Sequence, residues 1–429
     1  MPAQRRRAII ASVVAIAVLA LVVVVSNAMI SGRRPAAAPA TSPPASLPTT
    51  APPSQSVAPV SSPAAAPSSD PPKPLITITA VGDLELGNTP DLPADPASYL
   101  SHVHEALAAP IVFANLEGTL TNATSRKCAP PTPTATPTPT PAATSPSASP
   151  KPTATSTSPA APASASPTKP PPPPTCYAFR TPPSYASVLR NAGFTVLNSA
   201  NNHAHDFGSR GVADTSAALQ AAHIAQTGLP GQVAVVNANG VRVALIGFAP
   251  YAGANNLLDT EHAQELISSA KHAADLVVVY MHAGAEGSAA THVTGEDEHY
   301  LGEDRGNPQQ FAHMAIDAGA DLVLGSGPHV LRGMEYYRGH LIAYSLGDFA
   351  GYHNFATTGT LALSGILRVS LSADGRAAAA NFTSTILSSS GRPALDPRNE
   401  AATLMNQLSA ADFGTSAARI GPTGTLRLP

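Results

Sequence analysis

The stretch Leu276-Val277-Val278-Val279-Tyr280-Met281-His282 decides the fold class. Six apolar or aromatic residues run without a break, three of them β-branched. The run is too short for an ordinary helix and predicts a strand buried on both faces. A histidine follows at once. The same figure recurs along the chain. Ile76-Thr77-Ile78-Thr79-Ala80-Val81 runs into Gly82-Asp83, and Ile111-Val112-Phe113-Ala114-Asn115 into Leu116-Glu117-Gly118. Phe194–Leu197 runs into Asn198, and Asp321–Leu324 into the turn Gly325-Ser326-Gly327-Pro328-His329.

Helical patterns lie between these strands, at Pro96–Ala108, Ser184–Asn191, Gly208–His223, Glu261–Ala274 and Pro308–Ala318. Val233–Asn237 and Val241–Phe248 read as a hairpin around Ala238-Asn239-Gly240, and Met334–Arg338 and Leu341–Ser345 as another around Gly339-His340. Two further strands fall at Leu361–Leu371 and Ala377–Leu387. The alternation predicts an α/β fold, and its antiparallel pairs admit two stacked sheets.

The chain has 429 residues and 45 prolines. Thirteen prolines fall in Ser31–Pro74 and 17 in Ala129–Thr175. Such composition cannot bury a core, so 31–74 is expected as a disordered Pro/Ala/Ser linker and 129–175 as a disordered Pro/Thr insert. Elsewhere proline is ordinary, which excludes a fibrous or wholly disordered protein. The expected organisation is an anchor over 1–30, the linker, one domain over 75–395 interrupted by the insert, and a C-terminal extension over 396–429. A net charge of −3, with no basic run beyond the first residues and Arg33-Arg34, excludes a nucleic-acid footprint.

Ala8–Gly32 carries no charge and is mostly Val, Ala, Ile and Leu, long enough to cross a bilayer. Arg5, Arg6 and Arg7 precede it and favour a cytoplasmic N-terminus. The expectation is a single-pass membrane protein with its C-terminal domain outside; the alternative is a signal peptide with a weak cleavage site at Ser26-Asn27-Ala28. An exported chain permits a disulfide. Cys128 and Cys176 flank the insert, and a bridge between them would pin its base, worth at most roughly 4 kcal/mol in the loop-entropy model.

Asp83, Glu117, Asn202 with His203, His282 and His329 stand at the C-terminal ends of five successive strands, where open α/β sheets place their ligand crevice. Each alone reads as a cap or turn residue. Together they supply the carboxylates and imidazoles of a metal-activated hydrolase. In Asn201-Asn202-His203-Ala204-His205-Asp206-Phe207-Gly208, Asp206 also reads as the cap of the following helix. The acidic loop His292–Arg305 reads as solvated, with a ligand or a lid as the alternative.

These pieces resemble the CapA family, the poly-γ-glutamate capsule synthesis proteins, whose fold is similar to the calcineurin-like metallophosphoesterases. The carriers are AVGDLELG (80–87), NLEGTL (115–120), NSANNHAHDFG (198–208), MHAGAE (281–286) and the run from Gly319 to Phe349. The resemblance implies a sandwich of two mixed β-sheets flanked by helices, and one or two divalent ions (Mn, Zn or Fe). Asp83 and His329 would hold the first metal, Glu117 would bridge, Asn202 and His282 would hold the second, and His203 would be the general acid. Glu85, Asp206, Glu286, Ser326 and Asp348 would support the ligands or touch substrate. The chain departs from the pattern at Glu85, where phosphoesterases have His, at Ser326, where many members have His, and at Asp348, where Asn is common. The implied function is a metal-dependent, phosphoesterase-like hydrolase or transferase. It would act on a capsule precursor or other cell-envelope polymer, alongside membrane polymer-synthase subunits. The alternative is a non-catalytic scaffold subunit of a polymer export complex.

Overall fold

The buried runs pair into two mixed sheets in the computed structural model, which describes residues 74–127 and 176–429. The first sheet has the order Pro393–Leu395, Ala377–Leu387, Leu363–Leu371, Ile76–Glu85, Ile111–Leu116, Val196–Asn198, Ala225–Thr227. Its central strand changes partner along its length. Ile76–Ala80 pairs antiparallel with the Leu363–Leu371 strand, and Asp83–Glu85 pairs parallel with Asp348–Gly351. The register slips next to Asp83 on both sides. Asp83 therefore sits where the strand leaves one neighbour for another, a place where side chains can be re-aimed. Gly82 makes the switch possible: a Cβ there would overlap the Gly347 carbonyl.

The second sheet has the order Met334–Tyr337, His340–Ala343, Leu322–Ser326, Leu276–His282, Val241–Phe248, Ala234–Ala238. Both hairpins form as expected, with Val241–Phe248, Leu276–His282 and Leu322–Ser326 running parallel between them.

Side-chain alternation along these strands builds three layers of core. Between the sheets, Ile78, Ala80, Ile111 and Phe113 meet Leu245, Val278, Tyr280 and Leu324. The Phe113 and Tyr280 rings lie 5.3 Å apart, below the strand ends. The opposite face of the first sheet (Leu84, Val112, Ala114, Leu197) packs on Leu189 and Leu219, from the helices Tyr185–Asn191 and Gly208–Ala221. That of the second (Ile246, Val277, Val279, Val323) packs on Ile267 and Phe311, from the helices Thr260–Ala273 and Pro308–Asp317. Each fully buried aliphatic or aromatic side chain contributes on the order of 1.5–3 kcal/mol. The result is the expected sandwich of two mixed sheets flanked by helices.

Two stretches differ from expectation. Pro96–Ala108 is not one helix but two 3-10 turns, Pro96–Ser98 and Ser101–Val103, followed by a single α-turn, His104–Leu107. Its buried positions, Tyr99, Leu100, Val103 and Leu107, suit three-residue as well as four-residue turns, and the tighter winding takes the first half. Residues 396–429, expected as an extension, carry the helix Glu400–Phe413, whose Ala401 and Met405 are buried in the core between the sheets.

The edges of the insert are brought together, with Thr119–Leu120 pairing in parallel with Arg180–Thr181. The apolar N-terminal run, the linker up to residue 73, the insert and Cys128 lie outside the described residues. Among the described residues, no helix is long and apolar enough to cross a membrane.

Candidate metal centre

Polar residues in or just past the C-terminal parts of the strands Ile76–Glu85, Ile111–Leu116, Val196–Asn198, Leu276–His282 and Leu322–Ser326 gather at one edge of the sandwich. Asp83, Asn115, Glu117, Asn198, His282, Ser326 and Asp348 are all buried there. His203 and Asp206 arrive on the turn after Val196–Asn198, and His329 on the turn after Leu322–Ser326.

Glu117 lies at the centre. Its Oε1 is 3.6 Å from His329 Nε2, 3.9 Å from His203 Nε2 and 4.0 Å from His282 Nε2. Neither of its oxygens accepts a hydrogen bond from any described residue. One ligand atom each from Asp83, Glu117 and His329 lie within 4.8 Å of one another. Asp348 Oδ1 is 2.7 Å from His329 Nδ1. A carboxylate on one ring nitrogen fixes the ring's orientation and leaves the other nitrogen, here the one facing Glu117, to bind a cation in place of a proton. On the other side His282 Nε2 lies 3.1 Å from Asn202 Oδ1, and its Nδ1 lies 3.9 Å from Asp83 Oδ1.

His203 is set in the same way. Its Nδ1 lies 2.8 Å from Asp206 Oδ2, which turns Nε2 to the centre. Asp206 is itself held by the Phe179 N–H at 2.7 Å and by Lys127 Nζ at 2.6 Å, from the two edges of the insert. The helix cap read for Asp206 is thus corrected. The helix Gly208–Ala221 begins after Phe207 with no side-chain cap bond, because the carboxylate is claimed by the imidazole, the amide and the ammonium.

Burial raises the Asp83 carboxyl above its ordinary range, against the pull of His329, Ser326 and Asn115. Burial, reinforced by the Asp83 charge, drives Glu117 well above its ordinary value. Burial lifts Asp348 to about 6. For His329 burial opposes protonation, but the Asp348, Glu117 and Asp83 charges prevail and raise it well above an ordinary imidazole. Burial keeps His282 well below its usual range, with the His329 charge adding to it. Three desolvated carboxylates with one cationic partner form a pocket short of positive charge, and Glu117 has no donor among the described residues. Both features fit a divalent cation, whose charge would reverse this balance. Asp83, Glu117 and His329 could hold such an ion.

The departures from the family pattern have distinct fates. Glu85 turns its Oε1 to Asn354 Nδ2 at 2.7 Å and joins no ligand cluster among the described residues. Ser326 stays in the centre: its hydroxyl donates to Asp83 Oδ1 and contacts the Tyr280 hydroxyl. Glu286 bridges outward, 3.9 Å from His329 Nε2 and 2.8 Å from Arg305 Nη1. The loop His292–Arg305 is not simply solvated. Glu298 is paired with the buried Arg332, and Arg305 is itself buried, while Glu296, Asp297, His299 and Asp304 are exposed.

Sequence reasoning missed the amide frame beneath the ligands. Asn115 Nδ2 donates to Asp83 Oδ1 at 2.7 Å, and Asn115 Oδ1 accepts from Asn198 Nδ2 at 2.7 Å and Asn201 Nδ2 at 2.9 Å. The signal was present: Asn115 and Asn198 follow apolar runs near the ends of their strands, as Asp83 does. Tyr251 and Arg305 were missed as well.

Residues 162–352 match the family described as bacterial capsule synthesis protein PGA_cap. Over 187 residues the chain is 35% identical to the PGA biosynthesis protein CapA of Bacillus subtilis (strain 168), a match covering 40% of this chain and 46% of that protein. It is also 35% identical over 181 residues to the capsule biosynthesis protein CapA of Bacillus anthracis, covering 38% and 41%. The matched part spans about half the length of these curated relatives or less. Among solved structures, a 5'-nucleotidase precursor from Thermus thermophilus is similar at a TM-score of 0.36 and 12% identity, over 79% of this chain and 59% of that one. The resemblance to the CapA family read from the motifs is shown for the matched region. That region holds Asn202, His203, His282, His329 and Asp348; Asp83 and Glu117 precede it.

Proposed function

We propose that the chain is an exported, membrane-anchored, metal-dependent hydrolase or transferase acting on a cell-envelope polymer of the capsule or poly-γ-glutamate kind. The observation that carries the reading is Glu117, buried, without a hydrogen-bond donor among the described residues and faced by His203, His282 and His329 within 4.0 Å. Asp83, Glu117 and His329 would hold the first ion; Glu117, His282 and Asn202 would hold a second. Bound there, a divalent cation supplies Lewis-acid chemistry, lowering the pKa of water and polarising a substrate oxygen. The chain's own residues do the rest. Asn115 and Ser326 fix the Asp83 carboxylate, Asp348 fixes His329, and Asp206 orients His203 and favours its imidazolium form against burial, from which Nε2 would give a proton to the leaving group.

The names of the relatives support the choice of polymer. The apolar run at Ala8–Gly32 supports a single-pass anchor with the domain outside, and that compartment supports the Cys128–Cys176 bridge. The test is metal content and turnover together: the purified full chain takes up Mn, Zn or Fe and hydrolyses a generic phosphodiester or a γ-glutamyl peptide. A chain that takes up none of these metals refutes the metal reading. A scaffold subunit of a polymer synthesis and export complex is the second reading. It is favoured by Ser326, whose hydroxyl occupies an Asp83 lone pair where an imidazole ligand was expected.

A further inference from the structure

Two arginines are buried beside the centre, and they are held differently. Arg332 is 1% exposed and saturated. Its Nη1 and Nη2 each donate to the Glu298 carboxylate at 2.7 Å, Nε donates to the Ala290 carbonyl at 2.8 Å, and Nη2 also meets the Ala285 carbonyl at 3.3 Å. Arg305 is 4% exposed and not saturated. Its Nη1 lies 2.8 Å from Glu286 Oε1 and its Nη2 3.1 Å from Glu303 Oε2, but Nε has no hydrogen-bond partner among the described residues.

The Arg305 guanidinium lies over two rings, 5.3 Å from the Tyr251 centroid and 5.4 Å from that of Tyr300. The Tyr251 hydroxyl is also buried without a partner among the described residues. Burial pushes its pKa above that of an ordinary phenol, so it remains a donor at neutral pH. Both groups border the centre. Glu286 spans from Arg305 to within 3.9 Å of His329 Nε2, and the Tyr251 ring lies 6.4 Å from that of His282.

Two unclaimed donors, one of them on a buried cation, are costly in a site with only a structural task. Arg332 is what such a task looks like when it is met. The weak link at Arg305 is Glu303, whose side chain is 56% exposed. An ion pair that exposed is held loosely, and an oxyanion presenting two oxygens suits a guanidinium fork better than a single carboxylate oxygen.

The geometry points to an anion-binding subsite: Arg305 and the Tyr251 hydroxyl receive a phosphate or carboxylate group of the substrate, and Glu303 fills that place in its absence. This extends the proposed function, and rests on it, by giving the substrate an anionic group beside the bond that is cleaved.

The test is isothermal titration calorimetry of the full chain with inorganic phosphate and, separately, with γ-glutamyl-glutamate, both in the presence of Mn2+. Three forms are compared: wild type, Glu303→Gln and Arg305→Lys. Glu303→Gln removes the competing charge and is expected to bind the responding probe about threefold tighter, within the worth of an exposed ion pair. Arg305→Lys loses the fork and is expected to bind about tenfold weaker. The probe that responds distinguishes a phosphate-bearing substrate from a polycarboxylate. If Arg305→Lys does not fold, the exposed Glu303→Gln change decides alone. Equal constants in wild type and Glu303→Gln, or no binding of either probe, overturn the subsite. If the chain takes up no metal, the same series is run without it. The expected order of affinities then upholds the subsite while the metal reading fails. Equal constants with metal bound do the reverse.

Discussion

The centre has two halves, and they are built on opposite electrostatic terms. One half gathers Asp83, Glu117 and His329 within 4.8 Å, with Asp348 steering His329 from behind. The other offers an amide, Asn202, and an imidazole, His282, which burial keeps neutral; only the shared Glu117 adds charge. Ordinary folding physics disfavours the first half, because buried carboxylates are costly without a counter-charge. The second half is cheap to fold and correspondingly weak as a ligand set for a hard cation. The difference teaches where a cation should bind first: the half that is least stable empty gains most when filled.

The largest effect should come from Glu117→Gln, the side chain common to both halves. It removes a charge from each, so bound metal and turnover should fall together, as read by elemental analysis and a phosphodiester assay. Equal metal in wild type and variant would break the comparison at its centre. Next, His203→Ala should leave metal content unchanged and lower turnover by roughly 10²–10⁴-fold, the worth of a lost acid–base group. Loss of metal in that variant would make His203 a ligand. Asp348→Asn should weaken the first metal by about 10–100-fold in a chelator competition, the usual consequence of losing the carboxylate behind a ligating histidine; an unchanged constant would reduce Asp348 to a turn residue. The smallest effect should come from adding the missing imidazole to the neutral half. Ser326 is buried against the Tyr280 hydroxyl, so Ser326→His is best made with Tyr280→Phe. The pair should tighten the second metal by more than it changes the first, whose Asp83 ligand loses the Ser326 hydrogen bond but keeps that of Asn115.

The sheets were legible because their strands are short apolar runs ended by glycine or a polar residue, as in Leu276–His282. The ligand set was legible because those residues follow parallel strands, whose C-terminal ends share one edge within each sheet. What the sequence did not reveal depends on contacts between distant segments. Nothing local marks Pro96–Ala108 as two 3-10 turns. Nothing near Asp206 shows that Lys127 and Phe179, from across the insert, take its carboxylate away from the helix. Arg305 and Glu298 looked alike as charges on a polar loop. Only the folded chain separates the arginine facing the centre from the carboxylate locked under Arg332.

The most direct test is a metal titration of the full chain, comparing wild type with Asp83→Asn and Asn202→Ala. Asp83→Asn removes charge from the strong half, and the tight binding event should disappear. Asn202→Ala touches only the neutral half, so the tight event should survive and any weaker one should fade. An Asp83→Asn protein that keeps the wild-type stoichiometry and affinity would contradict the assignment of the centre.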